Sequence, residues 1–194
     1  MSVLICSAIE EELDRLKPHF ETCVLGIGLV EATVSLTDYL RSHEVSTVIF
    51  TGTAGAYPSS GYQIGDCVTS SKFKLVGSAS ALEQAYFPEK MSQALSFNEP
   101  SWNTLPNVVS GTVVEITKSL SLSEKIASIY NVDVEHMEVF GLASVCKRFN
   151  TEFFSVFGIS NCVYEKSHIE WVTHNRDASL TAQNYIHNCK KYFL

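Results

Sequence analysis

Short runs rich in Val, Ile, Phe and Cys recur along this chain, and each is followed by a segment with helical spacing. A strand that is apolar at nearly every residue must be covered on both faces, and helices supply that cover. This alternation constrains the chain to an α/β sheet with helices on both sides. Strands are expected over residues 2–8, 22–25, 46–50, 66–70, 72–77, 108–114 and 153–159, with a short extended piece at 132–134. Helices are expected over 10–16, 29–41, 122–130, 138–149 and 169–192. Residues 78–106, with Pro88, Pro100 and Pro106, read as a long irregular stretch suited to a mobile or partner-contacting loop.

The chain has 194 residues, 45% hydrophobic and 18% charged, which fits one globular domain spanning 1–194. No apolar stretch reaches the roughly 20 residues that span a bilayer, and no basic region precedes the first apolar run, so neither a membrane span nor a signal peptide is expected. Net charge is −7, and the only basic clusters are Lys147-Arg148 and Lys190-Lys191. That balance argues against a nucleic-acid or anionic-membrane surface. The six cysteines show no metal-binding spacing and read as reduced, mostly buried thiols of a cytoplasmic protein. The six histidines form no H-x-x-x-H pair, so the sequence gives no support for a metal site.

In α/β folds, ligands bind beyond the carboxyl ends of strands. Three segments follow strands here: Ala8 to Glu12, Thr51 to Gly55, and Gly158 to Asn161. On a helix starting at Glu10, the stripe Ile9, Leu13, Leu16 faces the core and Glu11 faces solvent. Glu12 flanks the stripe, so burial would raise its pKa toward the range of a general base. Acids also favour a first helical turn for its dipole alone. Thr51-Gly52-Thr53-Ala54-Gly55 is either a backbone nest beside a ligand or a plain tight turn. In Glu135-His136-Met137-Glu138, a carboxylate could accept from two sugar hydroxyls while Met packs on the sugar, or both could be ordinary helix-start residues. Asn161 is either a ligand-facing amide or a turn former.

In this order, Ala8-Ile9-Glu10-Glu11-Glu12, Gly26-Ile27-Gly28, Thr51-Gly52-Thr53-Ala54-Gly55, Ile64-Gly65-Asp66, Ser110-Gly111, Met137-Glu138 and Ile159-Ser160-Asn161 resemble the nucleoside phosphorylase superfamily. The likeness is to its branch of methylthioadenosine/S-adenosylhomocysteine nucleosidases and futalosine hydrolases. It implies a three-layer α/β/α sandwich with a mixed, largely parallel central sheet. It also implies a homodimer that cleaves the N-glycosidic bond of a small purine nucleoside. By the resemblance, Glu12 is the water-activating carboxylate and Glu138 the ribose hydroxyl acceptor, with Met137 on the sugar. Thr53, Ala54, Gly55 and Ser160 then lie beside the nucleoside, and Trp171 helps close the pocket. No metal or organic cofactor is implied.

Two departures from the family pattern stand out. The usual hairpin after the first helix is missing, which leaves less wall around the site and favours help from a partner subunit. Asn161 replaces the Asp that protonates or hydrogen-bonds N7 in adenine-releasing members. An amide suits a 6-oxopurine, because it can donate to N7 or O6 as negative charge grows there. The expected activity is hydrolysis of futalosine to hypoxanthine and dehypoxanthine futalosine in menaquinone synthesis, with Glu12 and Asn161 catalytic. Phosphorolysis is disfavoured because Phe50 stands where phosphorylases carry a phosphate-binding Arg. Lys72, His168 and Arg176 are the candidate cations for the substrate's carboxylated tail. An adenine-releasing nucleosidase and a catalytically silent nucleoside-binding protein remain as alternatives.

Overall fold

The computed structural model describes residues 2–193. Eight strands join one sheet: β1 (Val3–Ser7), β2 (Glu21–Val24), β3 (Thr47–Ala56), β4 (Cys67–Leu75), β5 (Ala94–Ser96), β6 (Asn107–Thr112), β7 (Val134–His136) and β8 (Glu152–Cys162). β2, β1, β3 and β8 run parallel, with β2 at the edge. β8 then pairs antiparallel with β4, β4 parallel with β6, and β6 parallel with β7. β7 returns antiparallel to the end of β3 at Gly55 and Ala56. Five strands thus close into a ring, β3-β8-β4-β6-β7, while β1 and β2 extend as an open wing.

Helices α1 (Leu29–Ser42), α2 (Ser78–Ala81), α3 (Leu120–Tyr130), α4 (Val139–Phe149) and α5 (Ser167–Asn188) accompany the sheet. The alternation of strand side chains divides the core between its faces. Val48, Phe50, Phe153 and Phe157 pack with α1 and α4 residues such as Leu36, Leu142 and Cys146. Ile49, Phe154 and Val156 pack on the other side with Ala182 and Ile186 of α5. The result is the mixed α/β layering that the sequence pattern requires.

Several boundaries differ from the sequence expectation. Residues 51–55 are neither nest nor turn: they continue β3 as strand, because β8 pairs with them along its whole length. β8 likewise runs on through Ser160 and Asn161 to Cys162. The expected helix 10–16 is a single 3₁₀ turn, Glu10–Leu13, followed by turns to Phe20. No strand lies between this turn and β2, so the hairpin is absent from the described residues. The stretch 78–106 carries α2 and β5, the latter pairing with β4, so it is less irregular than its prolines suggest. The extended piece expected at 132–134 is β7, two residues further on, where Val134 and Glu135 meet β3. All six cysteines are free thiols, and Cys6, Cys146 and Cys189 are buried.

Candidate active site

The 3₁₀ turn at the end of β1 decides where Glu12 points. At three residues per turn, positions i and i+3 eclipse. Glu12 therefore stacks over half-buried Ile9, its N–H reaching the Ile9 carbonyl at 3.4 Å. Leu13 and Leu16 are fully buried, while Glu10 and Glu11 face solvent. Gln183 of α5 clamps the turn from outside, accepting from the Arg15 N–H at 2.9 Å and donating to the Glu11 carbonyl at 3.3 Å. Glu12 alone of the three acids is driven inward, with 8% of its surface exposed.

Inside, its carboxylate lies against the backbone of β3. A Cβ on Gly52 would stand 3.1 Å from both Glu12 oxygens, so only a glycine leaves that carboxylate its present place. Burial is the main influence on Glu12 and raises its pKa to about 7. His136 opposes the rise, Glu138 adds to it, and the Thr53 backbone lowers it. A carboxyl poised there can both hold and release a proton near neutral pH.

Glu138 is the N-cap residue of α4, but its side chain does not cap the helix. The hydroxyl of Thr112 on β6 instead accepts from the Phe140 N–H at 2.9 Å, satisfying one of the helix's orphan donors. The freed carboxylate reaches across the molecule. Its Oε1 accepts from the Gly28 N–H at 2.6 Å, and its Oε2 lies 2.7 Å from His136 Nδ1. Burial alone would raise its pKa, yet His136 and the backbone donors outweigh burial and hold it below the usual carboxylate range. Two buried carboxyls within electrostatic range are thus driven apart. Glu12 is near neutrality's midpoint and Glu138 is firmly ionised, a pattern that separates a base from a binding anion.

Residues 52–55 of β3 link the rest. The Thr53 hydroxyl accepts from Trp171 Nε1 of α5 at 3.3 Å. The Ser160 hydroxyl oxygen lies 3.4 Å from the Ala54 carbonyl. A Cβ on Gly55 would stand 2.8 Å from Asn161 Nδ2. Gly52 and Gly55 are separated by roughly 10 Å of strand, with the β3–β8 register break between Ala54 and Gly55. The Glu12 carboxylate thus lies against Gly52 at one end of this segment and the Asn161 amide against Gly55 at the other. The Asn161 amide has a defined sense. The Cys162 carbonyl 3.1 Å away can only accept, so the nitrogen faces it. The Ser160 hydroxyl then donates to Oδ1 at 2.9 Å. Met137 is half-buried against the Tyr57 and Val163 cluster.

No motif in the sequence assigns His136 a role, although its Nδ1 lies 2.7 Å from Glu138 Oε2. A period-two pattern in β7, with Glu135 directed to Tyr57 and Thr117 and His136 to the opposite side, was the available signal. Of the three candidate tail cations, His168 stacks near Trp171, with centroids 6.1 Å apart. Lys72 is remote from that pair, in the β4–β5 pairing opposite Ser96. Arg176 is exposed farther along α5.

A mixed sheet closed into a ring at one end, with its polar side chains gathered at strand ends, is the nucleoside phosphorylase fold. The chain belongs to the phosphorylase superfamily, whose family model matches residues 22–191; Glu12 lies ahead of that match. The 5′-methylthioadenosine/S-adenosylhomocysteine nucleosidase from Helicobacter pylori, complexed with butyl-thio-DADMe-Immucillin-A, is similar at TM-score 0.86 and 17% identity, over 100% of this chain and 99% of that one. Futalosine hydrolase of Helicobacter pylori is similar at TM-score 0.83 and 16% identity, over 96% of each chain. The nucleosidase from Neisseria meningitidis, complexed with methylthio-immucillin-A, gives TM-score 0.82 and 17% identity over 95% of this chain and 96% of that one. At these identities the likeness is one of fold. No curated protein matches the sequence.

Proposed function

We propose that this chain is a purine nucleoside N-glycosidase that hydrolyses futalosine to hypoxanthine and dehypoxanthine futalosine, in menaquinone biosynthesis. The carrying observation is the Asn161 amide, whose Nδ2 faces an acceptor and spends one of its two hydrogens on the Cys162 carbonyl. The second hydrogen is left for a 6-oxopurine at N7 or O6. A carboxylate in the same place would oppose the Cys162 carbonyl unless it were protonated.

The nucleoside lies across the carboxyl rim of β3, its sugar toward Glu138 and its base toward Asn161. Glu138 accepts from the ribose hydroxyls, and Met137 packs on the sugar. As C1′–N9 stretches toward an oxocarbenium-like state, Glu12 takes a proton from water and the oxygen attacks C1′. The electron pair of the broken bond leaves with the purine, where Asn161 meets the growing charge and a proton is finally taken up. A preorganised donor of this kind contributes roughly 3 kcal/mol, about a hundredfold in rate. Thr53, Ala54, Gly55 and Ser160 line the rim, and Trp171 closes over it. Hydrolysis is favoured over phosphorolysis because Phe50 is a fully buried ring that offers phosphate no donor.

His168, beside Trp171, is the best-placed candidate for the substrate's carboxylated tail. The protein works as a cytoplasmic homodimer on this reading. Its reduced thiols and the exposed Ile27, Val30 and Val34 at the start of α1, next to Gly28, support that. No helix among the described residues is long and apolar enough to cross a membrane. The test is comparative base release from futalosine, methylthioadenosine and adenosylhomocysteine. Hypoxanthine from futalosine is expected. Adenine release with futalosine untouched would assign the chain to the adenine-releasing nucleosidases, and tight binding without turnover would make it a silent binder.

A further inference from the structure

His136 takes no part in the proposed chemistry, yet it is held with more care than a core residue needs. It is 8% exposed, with the Phe50 ring edge-on at 5.1 Å and the Phe157 ring tilted at 4.8 Å. Its Nδ1 lies 2.7 Å from Glu138 Oε2 and 3.1 Å from the Glu138 backbone nitrogen. One ring nitrogen cannot donate to the carboxylate and accept from the amide at the same time. Without a proton on Nδ1, two lone pairs would oppose each other at the shorter distance. The Glu138 carboxyl is held ionised, so the proton belongs on Nδ1.

Among the described residues, no lysine or arginine bonds to the Glu138 carboxylate. The 3₁₀ turn contributes Glu12, with Glu10 and Glu11 turned to solvent. β3 and β8 present Phe50 and Phe157. On β7, Glu135 is turned away to Tyr57 and Thr117. The Gly28 loop offers a backbone N–H, and Glu31 of α1 lies against Gly26. Lys147 and Arg148 are in the last turn of α4, at the far end from Glu138.

We propose that His136 is a positioning residue. Its Nδ1–H fixes the Glu138 carboxylate toward the sugar. The role rests on the nucleosidase reading for its purpose, but not for its geometry. Another donor should preserve this effect, whereas an apolar ring should lose it.

The experiment uses the full chain with His136→Asn and His136→Phe, the first keeping an N–H near the Nδ1 position. The Glu138 carboxyl is followed by ¹³C NMR on glutamate-labelled protein without substrate, and kcat and KM are measured on futalosine. The Glu138 signal is expected to stay near the parent's in the Asn variant and to move in the Phe variant, since only Phe lacks the donor. KM should stay within about threefold for Asn and rise about tenfold or more for Phe. A Glu138 signal that moves equally in both variants, or in neither, overturns the proposal, whatever the activity. A signal that moves in the Phe variant alone, in protein that cleaves no nucleoside, supports the positioning role and removes the nucleosidase reading instead.

Discussion

The Gly28 N–H donates to Glu138 Oε1 across 2.6 Å, joining residues 110 positions apart. It draws the loop before α1 onto the start of α4. The same two helices pack closely, since a Cβ on Gly141 of α4 would press on Leu29 and Thr33 of α1. The carboxylate is therefore held by the packing of two helices, and its position is only as firm as that contact.

Gly52→Ala tests the seat of Glu12. The added methyl would stand 3.1 Å from each carboxylate oxygen, so the side chain must move by a few tenths of an ångström. Turnover is expected to fall about tenfold or more with KM little changed, because alignment and not binding is lost. A kcat equal to the parent's would show that the Glu12 position is not critical.

Glu12→Gln should abolish turnover while ligand still binds, as only the proton acceptor is removed. In the parent, kcat/KM should rise with pH through about 7, as Glu12 ionises. Stability should move the other way. Between its ordinary value of 4.5 and about 7, the unfolded chain loses the Glu12 proton while the folded chain keeps it. The folded state is thus favoured at low pH and loses up to roughly 3 kcal/mol as pH rises through that window. Glu12→Gln should unfold at higher urea than the parent at pH 8 and at similar urea at pH 4. Equal midpoints at pH 8 would contradict the burial of an ionisable Glu12.

Asn161→Asp places an acceptor-only group opposite the Cys162 carbonyl unless the new carboxyl holds a proton. A protonated acid there donates to purine N7. The ratio of kcat/KM for 6-amino over 6-oxo nucleosides is expected to rise about tenfold or more. The same ratio in variant and parent would end the argument that residue 161 chooses the base.

Trp171→Ala removes the Nε1–H donor to Thr53 and an exposed ring at the rim. KM should rise about fivefold with a smaller change in kcat, as expected for the loss of roughly one hydrogen bond. The other tryptophan, Trp102, is packed among Phe154, Tyr185 and Phe193. Any fluorescence change on ligand binding should therefore vanish in the variant. Persistence of the full change would move the ligand away from Trp171.

Gly158→Ala probes the fold alone. A Cβ there would run into the Ala178 carbonyl of α5, a backbone atom that cannot step aside. A loss of about 3 kcal/mol or more in unfolding free energy is expected. Near-parental stability would mean that α5 can lift from β8 at little cost.

Much of the fold is legible in the residue pattern. The apolar runs at Leu4, Ile49 and Phe154 are short and rich in β-branched and aromatic residues, so they read as buried strands, and helices of suitable length lie between them. The pattern misplaced what depends on a neighbour. Residues 51–55 look like a turn because they are small, yet they are strand because β8 continues beside them. β5 carries little apolar signal of its own and exists through its pairing with β4. The ring closed by β7 on β3 rests on two residue pairs that no local pattern announces.

At the site, sequence by itself determined that Glu12, Glu138 and Asn161 stand at the ends of structural elements, because periodicity fixes phase within an element. The stripe of Ile9, Leu13 and Leu16 also singles out Glu12 among the three adjacent acids, while the 3₁₀ turn decided that it points inward. Tertiary structure alone decided that Glu138 meets Gly28, that His136 stands against Glu138, and that the Asn161 amide turns its nitrogen to Cys162. Those relations join segments far apart along the chain. Hydrogen-bond geometry and burial act through space, and no spacing along the backbone encodes the distance between them.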